Sequence, residues 1–219
     1  MTQQQKTRAM FAATLAMLAL TVVILQRNDA VIFRDDGRLE TLRHENDPDA
    51  VVFRWRSDVD VPMARRFEEK FAEWAPMTNR IVIDLNSPGG SIHEGEQVIR
   101  EIEKMKRTHR VDTRVGERRK CYSMCVPIFL QGEERSAAPN ARFMFHEPSA
   151  VNQITGEIEK QPQFERDYVS RKFFNRYFTN SDMDPAWREG LAREWKGKDI
   201  FKAARELVDE RSNIVTVLE

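Results

Sequence analysis

The chain has 219 residues, of which 41% are hydrophobic and 32% charged. That is enough apolar material for a real core, which excludes disorder throughout and suits one domain with a short appendage. Lys+Arg and Asp+Glu both number 35, and this balance argues against a nucleic-acid binder, whose surface carries a basic excess.

The chain opens on a short polar leader, residues 1–8, containing Lys6 and Arg8. Ala9 to Leu25 follows as 17 uncharged residues, AMFAATLAMLALTVVIL. Its length suits a retained membrane helix or the apolar part of a cleaved signal peptide. The nearest small-x-small cleavage site, Ala19-Leu20-Thr21, lies inside the apolar run, which favours an anchor over 9–26. Lys6 and Arg8 hold the short end in the cytoplasm, so the remainder is expected outside it, in the periplasm of a single-pass inner-membrane protein. Secretion to the periplasm after cleavage is the alternative.

Residues 27–50 are polar and read as a tether, although Ala30–Phe33 and Leu39–Leu42 have the composition to pair across the Asp35-Asp36-Gly37 turn. The folded domain is expected over 51–219. Val51 to Trp55 reads as a strand, and Met63, Phe67, Phe71 and Trp74 recur at helical spacing. Arg80–Leu85 (RIVIDL) is a continuous apolar run expected of a central strand covered on both faces. Ile92, Val98, Ile99, Ile102 and Met105 mark one face of the next helix. Val111–Val115 reads as a strand, Met124–Leu130 as an apolar helix start, and Phe143–Phe145 as a short strand. Phe164–Phe178 reads as an aromatic-rich amphipathic helix, Ile200–Val208 as a helix and Ile214–Leu218 as a last strand. Strands alternating with helices imply an α/β domain of crossover units.

Three places carry chemistry. Asn86-Ser87-Pro88-Gly89-Gly90-Ser91 ends the RIVIDL strand, and its paired glycines permit left-handed backbone beside a helix amino terminus, where amides stabilise negative charge. Alone it would be a plain strand–helix turn. Cys121-Tyr122-Ser123-Met124-Cys125 puts a serine at a strand–helix junction, where it is otherwise a simple N-cap. Phe143-Met144-Phe145-His146-Glu147-Pro148 ends an apolar strand on a histidine, and a lone histidine is usually a satisfied, half-buried one. His44, His93 and His109 are scattered, so the four histidines show no metal-ligand spacing and no metal is expected.

Together, NSPGGSIHEGEQVI and CYSMCVPIFLQGEERSAAPNARFMFHEP resemble the proteolytic subunit of Clp protease in the crotonase-like superfamily. More narrowly they resemble an exported Clp-like family with serine in a C-x-S-x-C setting, from about Val51 to Leu218. The resemblance implies an α/β crotonase/Clp-protease-like fold of repeated β-β-α and βαβ units. It implies Ser123 as nucleophile and His146 as general base, with the amides of Gly89 and Met124 as oxyanion donors and Gly90 supporting the turn. The third member is expected before a helix some tens of residues after His146. Asp199 fits that position, with Asp167, Asp182 and Asp184 as competitors and surface charge as the plain alternative for all four. Lys120 precedes the serine and reads as a surface charge, not a base. There is no G-x-S-x-G, and the order Ser, His, Asp disfavours an ordinary esterase.

Cys121 and Cys125 bracket the serine. Within a regular helix they stand too far apart to bridge comfortably; with Cys121 before the helix a disulfide becomes possible, and it would fix the nucleophile turn. Two buried thiols, or Cys125 as nucleophile, are the alternatives. Residues 149–163 read as a polar loop, and the stripe Phe164, Tyr168, Phe174, Tyr177, Phe178 as core or subunit interface. The expected activity is a serine endopeptidase acting on peptides or unfolded chains, as a homo-oligomer held to the membrane by its N-terminal helix. No cofactor is expected, and no ATP-driven unfoldase, since ATP is not supplied outside the cytoplasm. A catalytically weak scaffold with the same fold is the alternative. An acyl-CoA enzyme of the superfamily is disfavoured by export.

Overall fold

The RIVIDL run forms the strand its composition demands. In this computed structural model, which describes residues 37–149 and 162–219, it is β3 (Arg80–Leu85), inside a six-stranded sheet ordered β1-β2-β3-β4-β6-β9. The other strands are β1 (Leu39–Arg43), β2 (Ala50–Trp55), β4 (Arg110–Val115), β6 (Arg135–Ala137) and β9 (Val217–Leu218). All neighbours run parallel except β1, which pairs antiparallel with β2. The segment expected over 9–26 lies outside the described residues. Among the described residues no helix is long and apolar enough to cross a membrane.

Helices α1 (Met63–Trp74) and α2 (Ile92–Met105) make the crossovers from β2 to β3 and from β3 to β4. Alternation decides which sheet face they cover. Val51, Phe53, Trp55, Ile81, Ile83, Leu85, Val111 and Val115 are all fully buried, together with Met63 and Phe67 of α1 and Val98, Ile102 and Met105 of α2. Ser91 caps α2 by accepting from the Glu94 amide at 3.2 Å. The buried Glu94 carboxylate in turn accepts from the Ala64 amide at 2.8 Å, supplying the acceptor that Pro62 does not give α1.

The opposite face is charged. Glu40, Arg54, Asp84 and Arg114 stand in register across β1 to β4. Asp84 is fully buried and accepts from Arg54 Nε and Arg119 Nη1, each at 2.7 Å. One row away Asp112 accepts from Arg80 Nε at 2.6 Å and Arg110 Nε at 3.0 Å. RIVIDL is therefore covered by helices on one side only; alternating charge serves on the other.

A second, three-stranded sheet is ordered β5-β7-β8: β5 (Lys120–Tyr122), β7 (Arg142–Phe145) and β8 (Ile200–Ala203). Beside it lie α3 (Cys125–Phe129), α4 (Gln163–Phe174), a π-turn at Asn175–Thr179, α5 (Pro185–Glu194) and α6 (Ala204–Asp209). Phe145, Phe173, Phe174, Phe178 and Trp195 form an aromatic core there, with ring centroids 4.9 to 6.4 Å apart among the contacting pairs.

Two further expectations are corrected. Leu39–Leu42, expected to pair with Ala30–Phe33 within the 27–50 tether, is part of β1 and pairs with β2, while Ala30–Phe33 lies outside the described residues. Only Leu39 of this strand is buried, and ladder bonds to β2 plus Glu40 against Arg54 and Arg56 hold the rest. Residues 200–208 are a strand and then a helix, because Ile200–Ala203 pairs with β7 before α6 starts. Of the aromatic stripe expected as core or subunit interface, Phe174, Tyr177 and Phe178 are buried, whereas Phe164 and Tyr168 are 71% and 61% exposed.

Replacing Asp84 by alanine leaves Arg54 and Arg119 facing each other without their carboxylate. The expected loss is about 3 kcal/mol of stability, measured as a lowered denaturant midpoint at unchanged m-value.

Candidate active site

Ser123 follows Tyr122, the last residue of β5. His146 follows Phe145, the last residue of β7. Asp199 precedes Ile200, the first residue of β8. β5 and β7 are parallel, with Tyr122 opposite Met144, and β8 is antiparallel to β7, with Ile200 opposite Phe145. The carboxyl ends of two strands thus coincide with the amino end of the third, and the three residues leave the small sheet at one edge.

His146 Nε2 lies 2.7 Å from Ser123 Oγ. With its proton on Nδ1, the ring accepts the serine hydroxyl. Burial lowers the His146 pKa from its ordinary 6.5, and the Asp199 charge raises it by less, so the imidazole is neutral at neutral pH. Asp199 Oδ1 is 3.8 Å from Nδ1, an ion-pair distance longer than a hydrogen bond, and its side chain is 60% exposed. The competing aspartates are engaged elsewhere. Asp184 caps α5 through the Trp187 amide at 2.9 Å, Asp182 lies 3.7 Å from Arg135, and Asp167 accepts from Gln163 at 2.9 Å.

Ser123 has φ 53, in the left-handed region that side chains rarely adopt. Its amide donates to Met144 O and its carbonyl accepts from the Val126 amide, both at 2.9 Å. Gly89, at φ 92, is pressed against it: a Cβ there would lie 2.6 Å from both Ser123 Cβ and Tyr122 O. Gly90 is equally constrained, since its Cβ would fall 2.4 Å from Val59 O. The turn is stitched down by Ser87 N to Lys120 O at 2.8 Å, Tyr122 N to Ser87 O at 3.1 Å, and Ser91 N to Val59 O at 2.7 Å.

The Gly89 amide donates to Ser87 Oγ at 3.1 Å. The amides of Gly90 and Met124 have no acceptor among the described residues. Cys121 and Cys125 are joined by a disulfide with Cα atoms 5.2 Å apart; Cys121 lies in β5 and only Cys125 is helical. Lys120 stands at the start of β5, with its ammonium 5.9 Å from the centre of the Tyr122 ring. Among the described residues no cluster of His, Cys, Asp or Glu could hold a metal ion.

Sequence reasoning missed several parts of this site. The Ser87 hydroxyl and the Met144 carbonyl fix the two turns. Glu147 Oε2 accepts from the Gly197 amide at 2.9 Å, joining the segment after His146 to the one before Asp199. A cleft of about 370 Å³ beside them is lined by Glu147, Ser170, Phe174, Trp195 and Lys196 among others. The glycine in the interior of α2 was a readable signal: a Cβ on Gly95 would lie 2.4 Å from Met124 Cγ, so it makes room for the residue after the serine.

The sequence model of the Clp protease family matches residues 58–183, more than half of the chain. The chain belongs to the Clp protease family. The match spans Ser123 and His146 and ends before Asp199. Among solved structures, a ClpP1 variant from Listeria monocytogenes superposes with a TM-score of 0.57 at 18% identity, over 77% of this chain and 90% of that one. At that identity the likeness concerns the fold. No curated protein matches the chain.

Gly89→Ala drives a methyl group into Ser123 and Tyr122 O at a left-handed position. The expected outcome is a domain less stable by about 2 kcal/mol, with Ser123 displaced from His146. A thermal melt and the rate of labelling by a fluorophosphonate probe measure the two effects separately.

Proposed function

We propose that this member of the Clp protease family is a serine endopeptidase in which Ser123 is the nucleophile, His146 the general base and Asp199 the acid that orients His146. The observation that carries this reading is the 2.7 Å approach of His146 Nε2 to Ser123 Oγ at a strained, left-handed serine. Ser123 Oγ attacks the scissile carbonyl carbon while its proton passes to Nε2. His146 then gives that proton to the leaving amine, and water hydrolyses the acyl-enzyme by the same route. The tetrahedral oxyanion is received by the amides of Gly90 and Met124. The Gly89 amide joins them only by leaving Ser87 Oγ. Each donor is worth about 3 kcal/mol to the transition state.

The uncharged run at 9–26, behind Lys6 and Arg8, supports a single-pass inner-membrane protein with this domain in the periplasm. There it acts without ATP, as a homo-oligomer, on peptides and already unfolded segments. Alkaline extraction of membranes and protease protection of intact cells test the placement. Release of the chain by carbonate, with cleavage near Leu25, selects the secreted alternative.

A second reading, a weakly catalytic scaffold, is favoured by one observation: the exposed Asp199 stands beyond hydrogen-bond distance of His146. The full chain in detergent, labelled with a fluorophosphonate, separates the two. Ser123→Ala and His146→Ala are each expected to reduce peptide turnover by about 10⁴-fold or more and to abolish labelling. An oxidised, folded wild type that does not label selects the scaffold.

The pH dependence follows from His146. Its lowered pKa puts the acid limb of kcat/KM at a midpoint below 6.5, because the base works only when neutral. Asp199 is the group that raises this pKa, so Asp199→Asn is expected to move the limb to still lower pH while reducing the plateau by about 10²-fold. An acid limb that stays put in Asp199→Asn would remove Asp199 from the triad.

A further inference from the structure

The two cysteines bracket the strained serine at equal distances along the chain. Cys121 is the middle residue of β5, in register with Phe143 of β7 and bridged to Ser87 of the glycine turn. Cys125 opens α3. The bond therefore joins a strand held on both sides to the first residue of a helix, across 5.2 Å between Cα atoms. An extended stretch of the same length would span roughly 13 Å, so Tyr122, Ser123 and Met124 must turn back sharply between the two sulfurs. Ser123, at the middle of this loop, has the left-handed φ.

Both cysteines are fully buried, within the core that also takes in Met124, Val126, Phe129 and Phe143. Thiol–disulfide exchange needs a thiolate to reach a sulfur in line with the bond it breaks. In the packed domain that approach is closed in both directions: a reductant does not reach the bond, and an oxidant would not reach the thiols.

We infer that the Cys121–Cys125 disulfide is the positioning element for Ser123, formed before the domain packs, so that the chain becomes a reactive serine enzyme only when it folds in an oxidising compartment. The inference rests on the reading of Ser123 as nucleophile. The step is ordinary exchange with a disulfide-bearing oxidant. One cysteine thiolate attacks a sulfur of the oxidant, forming a mixed disulfide and expelling the other sulfur as a thiolate. The second cysteine thiolate then attacks the first cysteine's Sγ, forming the Cys121–Cys125 bond and releasing the oxidant as a dithiol. Two electrons pass to the oxidant, and the two protons lost by the cysteines end on its thiols.

The loop closed by the bond holds only five residues, so it constrains the unfolded chain little, and its leverage is on the local turn. Chain reactivity is then the discriminating readout, not the melting temperature. The test compares the full-length chain, folded with its disulfide, with Cys121→Ala/Cys125→Ala by peptide hydrolysis and fluorophosphonate labelling well below the melting temperature. The expected result is a kcat lower by about tenfold or more with KM within about twofold, and labelling slowed in proportion, in a chain with native near-UV circular dichroism. The disulfide-bonded wild type should also keep full labelling in non-denaturing reductant. Equal kcat and labelling in the folded double variant overturn the inference, as does rapid loss of labelling when the native wild type meets reductant.

Should the double variant not fold, wild type is reduced in denaturant just below its unfolding midpoint, and thiols, circular dichroism and labelling are followed together. Labelling lost with the appearance of two thiols, while the native spectrum persists, supports the positioning role. Labelling lost only in step with the spectrum, or retained with two free thiols, overturns it. An oxidised wild type that never labels removes the proposed function itself, an outcome distinct from all of these.

Discussion

The site depends on one contact: Gly89 lies against Ser123 with no room for a side chain between them. Two segments that end different sheets are brought together there, the turn after β3 and the turn after β5. The left-handed serine costs about 1–2 kcal/mol relative to ordinary backbone. Its amide on Met144 O and its carbonyl on the Val126 amide return about 1 kcal/mol each, so the strain is offset where it arises. Packing on one side and hydrogen bonds on the other fix the serine backbone, and its hydroxyl lies 2.7 Å from His146.

The small sheet explains why residues so distant in sequence meet. Parallel pairing of β5 with β7 aligns their carboxyl ends, and antiparallel pairing of β8 brings its beginning to the same edge. The large sheet contributes rigidity. Its helix-covered face buries β-branched and aromatic side chains, while its other face carries alternating charge centred on Asp84 and Asp112. The turn bearing Gly89 and Gly90 is therefore anchored by a strand fixed on both faces, and it is sewn to β5 through Ser87.

Much of this was legible in the sequence because it is local. Paired glycines after an apolar strand can be recognised wherever backbone must come close, and RIVIDL, the α1 spacing and the α2 face have periodicities that tertiary packing reinforces. Leu39–Leu42 reads as a pairing segment, but its partner is not legible, because an edge strand is held by its ladder, not by burial. Ile200–Ala203 reads as helix because its apolar positions run on into those of α6 at helical spacing; only pairing with β7 makes it a strand. Lys120–Tyr122 and Arg135–Ala137 are three residues each, too short to show a period. The Met144 carbonyl that fixes Ser123 could not be read at all, since a backbone acceptor has no residue identity. Glu147 was visible only as a charge beside a histidine until Gly197 supplied its partner.

The placement of Asp199 has a wider consequence. Asp199 is carried on a solvent-facing loop held by the Glu147–Gly197 and Trp195–Lys198 bonds, whereas Ser123 and its turn are built into packed sheets. On the triad reading, the rate is scaled by the fraction of molecules in which that loop has closed the last ångström onto His146. Each 1.4 kcal/mol of bias on the loop is a tenfold change in that fraction. On that same reading, anything that binds residues 196–199 would tune turnover without disturbing Ser123.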